Sequence, residues 1–146
     1  MAVLENFRGA VVGLDTAPLI YFIEKNATYH PLVRPFFVAL ANGQFTGVTS
    51  TITLVETLVH PIRNNHHEIA RRYREILLNT FHLTTFDVTP DIAQKAAEIR
   101  ANYQIRTPDA IQLAAALQGG ATFFLTNDLN LKNFSEISVV VVDDLA

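Results

Sequence analysis

The sequence predicts a three-layer α/β/α sandwich with a central, mainly parallel sheet. The predicted strands are short and do not alternate between apolar and polar residues, which indicates strands that are covered on both faces. They are separated by segments in which apolar residues recur at helical spacing, an order that is typical of parallel sheets flanked by helices. Because we find no internal repeat, low-complexity segment or linker, we expect a single domain over residues 1–146.

Five strands are predicted along the chain. The first, 10–14, is an apolar run that is followed at once by Asp15. The last two, 122–125 and 137–142, are apolar throughout. Residues 45–49 and 81–86 are predicted as the remaining strands. Strands of this kind have no solvent face, so helices are expected on both sides of the sheet.

Six helices are predicted from their caps, their prolines and the spacing of their apolar residues. Pro18 lies in the first turn of the first helix, and Ser50 or Thr51 caps the third. Gly119 and Gly120 end the sixth, whose nearly continuous apolar character indicates an element packed on most sides. The predicted helices span about 16–23, 31–42, 51–61, 65–78, 89–103 and 107–117.

The composition is that of a folded domain without thiol chemistry. Hydrophobic residues make up 49% of the chain and charged residues 17%, which argues against disorder. The lack of cysteine excludes disulfides, thiolate zinc sites and a cysteine nucleophile. Residues 1–9 have no apolar run of the signal-peptide kind, and no segment has the length of a membrane span. We therefore expect a cytoplasmic protein with no membrane partner.

Net charge does not decide whether the partner is a nucleic acid. The chain has 11 basic and 14 acidic residues, a formal charge of −3. If four of the acids bind metal, the remaining charges leave a balance of +1. Charge therefore neither supports nor excludes a polyanionic substrate.

Two acidic residues come after predicted strands. Asp15 follows the first strand, and Asp128 lies in the turn after the fourth. Ligands of open α/β sheets bind beyond the carboxyl ends of the strands, so both positions favour chemistry. Each also has a structural interpretation, since Asp is a common N-cap and turn residue.

Two further acids lie on predicted helices. Asp109 falls in the first turn of the sixth helix, where Thr107 is a candidate N-cap and the helix dipole alone would explain a negative charge. Glu56 lies beside Ile52 and Val59 on a helical projection, at the border of an apolar face that we expect to be buried. Capping does not explain this position, although a solvated surface glutamate is an alternative interpretation.

The four acids are expected to meet at one edge of the sheet. A cluster of carboxylates repels itself and needs a cation to hold it together. A divalent-metal site, and with it metal-assisted phosphodiester chemistry, is therefore the leading hypothesis. The hypothesis depends on the whole set, because no single member would carry it.

Four segments of the chain carry a family resemblance. They are LDTAPLI at 14–20, TLVETL at 53–58, RTPDAIQLAAA at 106–116 and FLTND at 124–128. In this order and spacing they resemble the PIN domain, a metal-dependent nuclease family that includes the toxin ribonucleases of bacterial toxin–antitoxin pairs. One departure is that Leu129-Asn130-Leu131 stands where many relatives have an aromatic residue.

The resemblance implies a catalytic, metal-binding pocket formed by Asp15, Glu56, Asp109 and Asp128. It implies Mg²⁺ or Mn²⁺ as cofactor and single-stranded RNA as substrate. Thr16 and Thr126, close to two of the acids, would hydrogen-bond a carboxylate, a water or a phosphate oxygen. The comparison with toxins also implies a small antitoxin that covers the pocket. Homodimers are common in the family, but the sequence identifies no interface for one.

Two alternatives to a metal-dependent endoribonuclease stay open. A catalytically silent PIN-like module would act through protein or RNA binding, although a degenerate site usually lacks at least one of the acids. A receiver-like domain would use Asp15 as phospho-acceptor. That fold requires further acids near the first strand and a lysine after a late strand, and Lys132 follows Asp128 too closely to serve.

Overall fold

The computed structural model describes residues 2–146 and contains a five-stranded sheet between two layers of helices. Met1, at which the predicted domain and the segment without signal-peptide features begin, lies outside the described residues. The strands are β1 (Val11–Leu14), β2 (Thr46–Ser50), β3 (Leu83–Phe86), β4 (Phe123–Thr126) and β5 (Ser138–Val141). Every neighbouring pair in the order β3-β2-β1-β4-β5 is parallel, which confirms the predicted fold class.

Seven α-helices surround the sheet within residues 2–146. They are α1 (Ala2–Asn6), α2 (Thr16–Ile23), α3 (His30–Ala41), α4 (Thr51–Arg63), α5 (His67–Asn79), α6 (Pro90–Asn102) and α7 (Thr107–Gln118). Two 3₁₀ turns, Leu129–Asn133 and Val142–Leu145, follow β4 and β5. The sequence patterns predicted neither α1 nor these turns, because four or five residues are too few to show a helical period. In this described part of the chain, no helix has the length and apolar character needed to cross a bilayer.

The sheet has a hydrophobic core on each face. One core joins the sheet to α1, α2, α3 and α5 and contains Phe7, Phe36 and Tyr73, none of which has exposed surface. The other lies beneath α6 and α7 and contains Leu113 and Phe124. Because both faces are covered, strands with no polar side are stable in this sheet.

The predicted elements agree with the structure to within two residues at each end, and the differences have local causes. Helix α4 continues through Pro61 to Arg63, because packing of the buried proline ring offsets the cost of a proline inside a helix. Helix α5 begins at His67 rather than at 65, because Asn65 has a φ of 58°, in the left-handed region. Val142, predicted in the last strand, begins a 3₁₀ turn.

Helix α7 packs closely on the sheet at Gly13 of β1. A Cβ atom added to Gly13 would lie 2.7 Å from Cβ of Ala116 and 2.7 Å from Cδ1 of Phe124. Glycine is therefore the residue that leaves room for the alanine-rich face of α7 at the centre of the sheet. This close packing sets the position of the whole helix, including its N-terminal turn, which contains Asp109.

We expect Gly13→Ala to destabilise the fold by about 1–3 kcal/mol, because the added methyl group must displace a packed helix or a buried ring. Gly9→Ala is the control, because its Cβ would meet nothing within 4 Å and only its φ of 75° opposes the change. Urea unfolding of both variants measures the difference. Gly9→Ala thus measures the cost of a left-handed φ without a close contact, and a Gly13→Ala variant as stable as the wild type would contradict the packing argument.

Candidate active site

The carboxyl ends of β1 and β4 form the topological switch point of the sheet. β1 pairs with β2 on one side and with β4 on the other. The chain continues from β1 into α2 on one face, whereas the turn after β4 buries Leu131 in the core of the other face. A crevice at such a point is the usual ligand site of an open α/β sheet. Asp15 follows β1 and Asp128 follows β4, so the two acids flank this crevice.

An open pocket of about 460 Å³ lies at this edge of the sheet. Its lining residues are Asp15, Thr16, Ala17, Ile20, Tyr21, Glu56, Val59, Arg106, Asp109, Thr126, Asn127 and Asp128. The fold thus brings the four acids and the two threonines singled out in the sequence to one pocket. Arg106 is the one cationic residue among the described residues that line it.

Asp15 is the most buried of the four acids, with 8% of its surface exposed. Its Oδ1 accepts a hydrogen bond from the Thr16 backbone N–H at 2.9 Å, so it does cap α2 as one interpretation of the sequence had it. Its Oδ2 accepts from the Thr126 hydroxyl at 2.7 Å. Capping uses one oxygen only, and it does not account for the placement of the carboxylate in a pocket with three other acids.

Burial raises the pKa of Asp15 to about 6, because the ionised form loses its hydration. The hydrogen bonds from Thr126 and Thr16 act in the opposite direction. The negative charges of Asp109 and Glu56 raise the pKa further, so these carboxylates repel one another across the pocket. Ionisation of the Asp15 carboxyl therefore costs free energy in the folded protein.

Thr126 connects two of the acids. Its hydroxyl donates to Asp15, and its oxygen accepts the backbone N–H of Asp128 at 3.1 Å. The Asp128 Oδ1 in turn accepts the backbone N–H of Asn130 at 3.0 Å and caps the 3₁₀ turn. One oxygen of Asp128 thus has the turn-capping role that the sequence offered as an alternative. The Thr126 hydroxyl, which bonds both residues, connects the backbone of Asp128 to the Asp15 carboxylate.

Asp109 is paired with Arg106, whose Nη2 lies 3.4 Å from Oδ2 of the carboxylate. Burial raises the pKa of Asp109, the Arg106 charge opposes this, and the charges of Asp128 and Glu56 add to the rise. The prediction of Thr107 as N-cap was wrong, since α7 begins after Arg106 without a side-chain cap. The Thr107 hydroxyl instead accepts a hydrogen bond from another arginine, at 2.9 Å.

Helix α4 presents the opposite face to the one that the apolar pattern indicates. Its buried residues are Thr53, Thr57 and Pro61. Val55 and Ile62 are exposed to 65% and 60% of their surface, so the expectation of a buried apolar face beside Glu56 was wrong.

The Thr53 hydroxyl has buried partners in Thr49 and Gln112, and the Thr57 hydroxyl donates to a carbonyl of its own helix. Of the apolar residues of α4, Leu54 and Leu58 are half-buried against the core, whereas the valines and Ile62 are exposed.

Glu56 is exposed, yet it is tied to the pocket by one strong hydrogen bond. The Thr16 hydroxyl donates to its Oε1 at 2.6 Å. A solvated glutamate would not need such a partner. The bond connects α4 to the first turn of α2 and directs the carboxylate toward the other acids.

Four carboxylates therefore face one arginine at this edge. Within residues 2–146 no three acidic or histidine side chains are close enough together to share a metal ion as they are placed. The hydrogen bonds described use one oxygen each of Glu56, Asp109 and Asp128. Among the described residues, no hydrogen bond reaches the second oxygen of any of these three acids.

Sequence reasoning did not single out Arg106 or Gln112. Arg106 begins the segment 106–116 that carries part of the family resemblance, but its position before a helix gives no sign that it pairs with an acid. Gln112 is 1% exposed and hydrogen-bonds Thr16 and Thr53. A signal for it was present, because it is the one amide within the apolar run of α7 from Ala110 to Leu117.

The PIN domain family model matches residues 12–137 of the chain. The chain therefore belongs to the PIN domain family, as its four motifs predicted. No curated protein matches it in sequence.

Solved structures to which the chain is similar include a toxin–antitoxin complex and a toxin. VapBC2 from Rickettsia felis, bound to a promoter DNA fragment, has a TM-score of 0.70 and 19% identity, and the match covers 90% of this chain and 98% of that one. A toxin–antitoxin complex from Klebsiella pneumoniae has a TM-score of 0.66 and 25% identity, and the match covers 92% of this chain and 98% of that one. VapC20 from Mycobacterium tuberculosis, a toxin that cleaves the sarcin–ricin loop, has a TM-score of 0.66 and 20% identity. This match covers 88% of this chain and 99% of that one.

We expect Asp15→Asn to stabilise the metal-free protein near neutral pH. With a folded pKa of about 6 against 3.8, the ionised carboxyl costs at most about 3 kcal/mol above pH 6. The cost vanishes below about pH 4, where the carboxyl is protonated in both the folded and the unfolded protein. The stability of the wild-type protein therefore falls as the pH rises from about 4 to about 6. Thermal unfolding in chelator at about pH 7.5 and pH 5 measures the gain, which should be larger at the higher pH.

The exposed Asp87→Asn is the matched control and should change little at either pH. A loss of stability in Asp15→Asn at about pH 7.5 would show that the carboxylate is not under the electrostatic load described.

Proposed function

We propose that the protein is a metal-dependent endoribonuclease that hydrolyses phosphodiester bonds in single-stranded RNA, and that it is the toxin of a toxin–antitoxin pair acting in the cytoplasm. The observation that carries the proposal is the pocket at the switch point, where four carboxylates face one arginine in a PIN domain. The structural similarity to VapC20, a toxin that cleaves an RNA loop, supports the choice of RNA.

The donor set fits a hard divalent cation such as Mg²⁺ or Mn²⁺, because its groups are carboxylate oxygens. Burial raises the pKa values of Asp15 and Asp109, the neighbouring carboxylates raise them further, and a bound cation would offset the cost of ionising both groups. Asp15, Asp109 and Asp128 would hold the ion, and Glu56 would hold a second ion or orient the attacking water. A bound divalent ion would supply an acidified water and neutralise the charge of the scissile phosphate.

The chain's own residues would organise the remaining steps. Glu56, directed by the Thr16 hydroxyl, would orient the water and receive its proton. Attack of the water oxygen on phosphorus would break the bond to the 3′ oxygen, and this leaving oxygen would take up a proton from solvent. The products would be a 5′-phosphate and a 3′-hydroxyl, without a covalent enzyme intermediate. Arg106, which is exposed and lies at the rim, would pair with a phosphate oxygen of the RNA.

We expect Asp15→Asn and Asp109→Asn to lower metal-dependent RNase activity by at least about 100-fold, because each removes a charged ligand. Cleavage of a labelled single-stranded RNA, with product ends identified, measures this loss. Asp87→Asn, outside the pocket, should retain wild-type activity. Full activity in either pocket variant would overturn the assignment of these residues.

Calorimetry with Mn²⁺ separates the nuclease from a silent PIN-like module. We expect Mn²⁺ binding that is weakened by Asp15→Asn. A wild-type chain that binds RNA or protein but neither binds Mn²⁺ nor cleaves RNA would establish the silent module instead.

The antitoxin part of the proposal has support in the outer face of α4. Leu54, Val55, Leu58, Val59 and Ile62 line an apolar groove on this face. Val59 also lines the acidic pocket, so one partner segment lying along α4 would cover both. Several similar structures are toxin–antitoxin complexes, which supports an antitoxin as the occupant. A homodimer that uses this face is the competing outcome.

We expect Val55→Asp to weaken inhibition by the antitoxin at least about tenfold, because a charge would enter an apolar interface. Any short reading frame encoded next to this gene is expressed as the candidate antitoxin, and inhibition of RNA cleavage is titrated with its product. Val38→Asp on α3, also exposed, is the control. If Val55→Asp leaves inhibition unchanged but converts a dimer to a monomer in sedimentation, the face joins two copies instead.

A further inference from the structure

Gln112 is a buried amide within the apolar run of α7 from Ala110 to Leu117. It has 1% of its surface exposed and lies among buried neighbours on α7, such as Leu113 and Ala116. Burying a primary amide is costly unless its donors and its acceptor are all satisfied. An aliphatic residue would fill this position without that requirement, so the amide calls for a reason beyond packing.

All of the polar atoms of Gln112 have partners. Its Oε1 accepts a hydrogen bond from the Ser50 hydroxyl at 2.7 Å. Its Nε2 donates to Thr53 Oγ1 at 2.6 Å and to Thr16 Oγ1 at 3.3 Å. The three partners lie at the end of β2, on α4 and on α2, so the amide joins three elements to α7.

One branch of this network determines the direction of the Thr16 hydroxyl proton. Thr16 Oγ1 accepts from the Gln112 amide, so its single proton is free to point away from it. That proton is donated to Glu56 Oε1 at 2.6 Å. A reversed amide would place its oxygen against Thr16 and draw the proton away from Glu56. The orientation of Gln112 thus sets the hydrogen bond that holds Glu56.

The second branch reaches the residue before Asp15. The Thr49 hydroxyl donates to the Leu14 carbonyl at 2.8 Å, so its bond with Thr53, also 2.8 Å, must be donated by Thr53. Thr53 in turn accepts from Gln112. Both neighbours of Asp15 in the chain, Leu14 and Thr16, are therefore tied to the same amide.

We propose that Gln112 is a positioning residue for hydrolysis, which acts through Thr16 to orient the carboxylate of Glu56. The inference rests on the proposed nuclease function. Gln112 does not line the pocket, so it contacts neither RNA nor water there. Its effect belongs to the chemical step and not to the binding of substrate.

The first test is Gln112→Glu, which keeps the shape of the side chain and replaces the amide donor by a carboxylate. The Thr16 proton then turns to the introduced carboxylate and leaves Glu56. We expect kcat to fall about tenfold or more while KM for RNA stays within about twofold, since a group oriented for the chemical step has been lost. Gln112→Met, which carries no charge into the core, is the second variant and should show a smaller loss of the same kind.

Thr16→Val tests the route. It should reproduce the loss of kcat, and the double variant with Gln112→Glu should lose no more than Thr16→Val alone, since both act through one hydroxyl. Thr57→Val is the matched control, because Thr57 of α4 is a buried threonine like Thr16. Its hydroxyl donates to the Thr53 carbonyl and does not reach Thr16. It should lower stability and leave kcat unchanged. Additive losses, or equal kcat losses in the control, would overturn the inference.

A measurement without activity distinguishes this inference from the proposed function. The Thr16 hydroxyl proton should give a slowly exchanging NMR signal with a cross-peak to the Glu56 side chain, lost in Gln112→Glu. If the wild-type protein cleaves RNA and Gln112→Glu has the same kcat, the inference about Gln112 is overturned and the proposed function stands. An inactive wild-type chain overturns the proposed function and, with it, the positioning role of Gln112 in hydrolysis, even if the cross-peak is present.

Discussion

The close packing of α7 on the centre of the sheet is the constraint on which the site depends. Gly13 admits the alanine face of α7 at van der Waals distance, and the helix is buried along most of its length. With α7 fixed there, its first turn brings Asp109 and Arg106 to the carboxyl edge of β1 and β4, and Gln112 meets Thr16. Small residues at one contact thus place charges and an amide that lie far apart in sequence.

The pocket is costly to the fold that builds it. Asp15 is desolvated beside other carboxylates, and one arginine compensates only part of the negative charge in the described pocket. Structural roles offset some of this cost: Asp15 and Asp128 cap turns of helix, and Thr126 and Thr16 donate to two of the acids. Helix capping and membership of the acidic pocket are therefore compatible explanations, because each of these carboxylates caps with one oxygen and keeps its other oxygen for the pocket.

Helix α4 shows where a local pattern misleads. Apolar residues at helical spacing normally mark the buried face, yet here threonines face inward and valines outward. The inversion is stable because Thr53 and Thr57 have partners inside, and Thr53 gains the amide of Gln112. Its consequence is an exposed apolar groove beside the acids, which no property of the helix by itself would indicate.

The sequence by itself determined the fold class, the approximate bounds of the longer elements and the four acids, because these depend on local periodicity, turn chemistry and the order of motifs. Only the tertiary structure decided which face of α4 is covered, that Arg106 lines the pocket with the acids, and that Gln112 reaches Thr16 across 96 positions. The physical reason is that a hydrogen bond between distant residues depends on how helices pack, and periodicity records only which side of each helix is apolar.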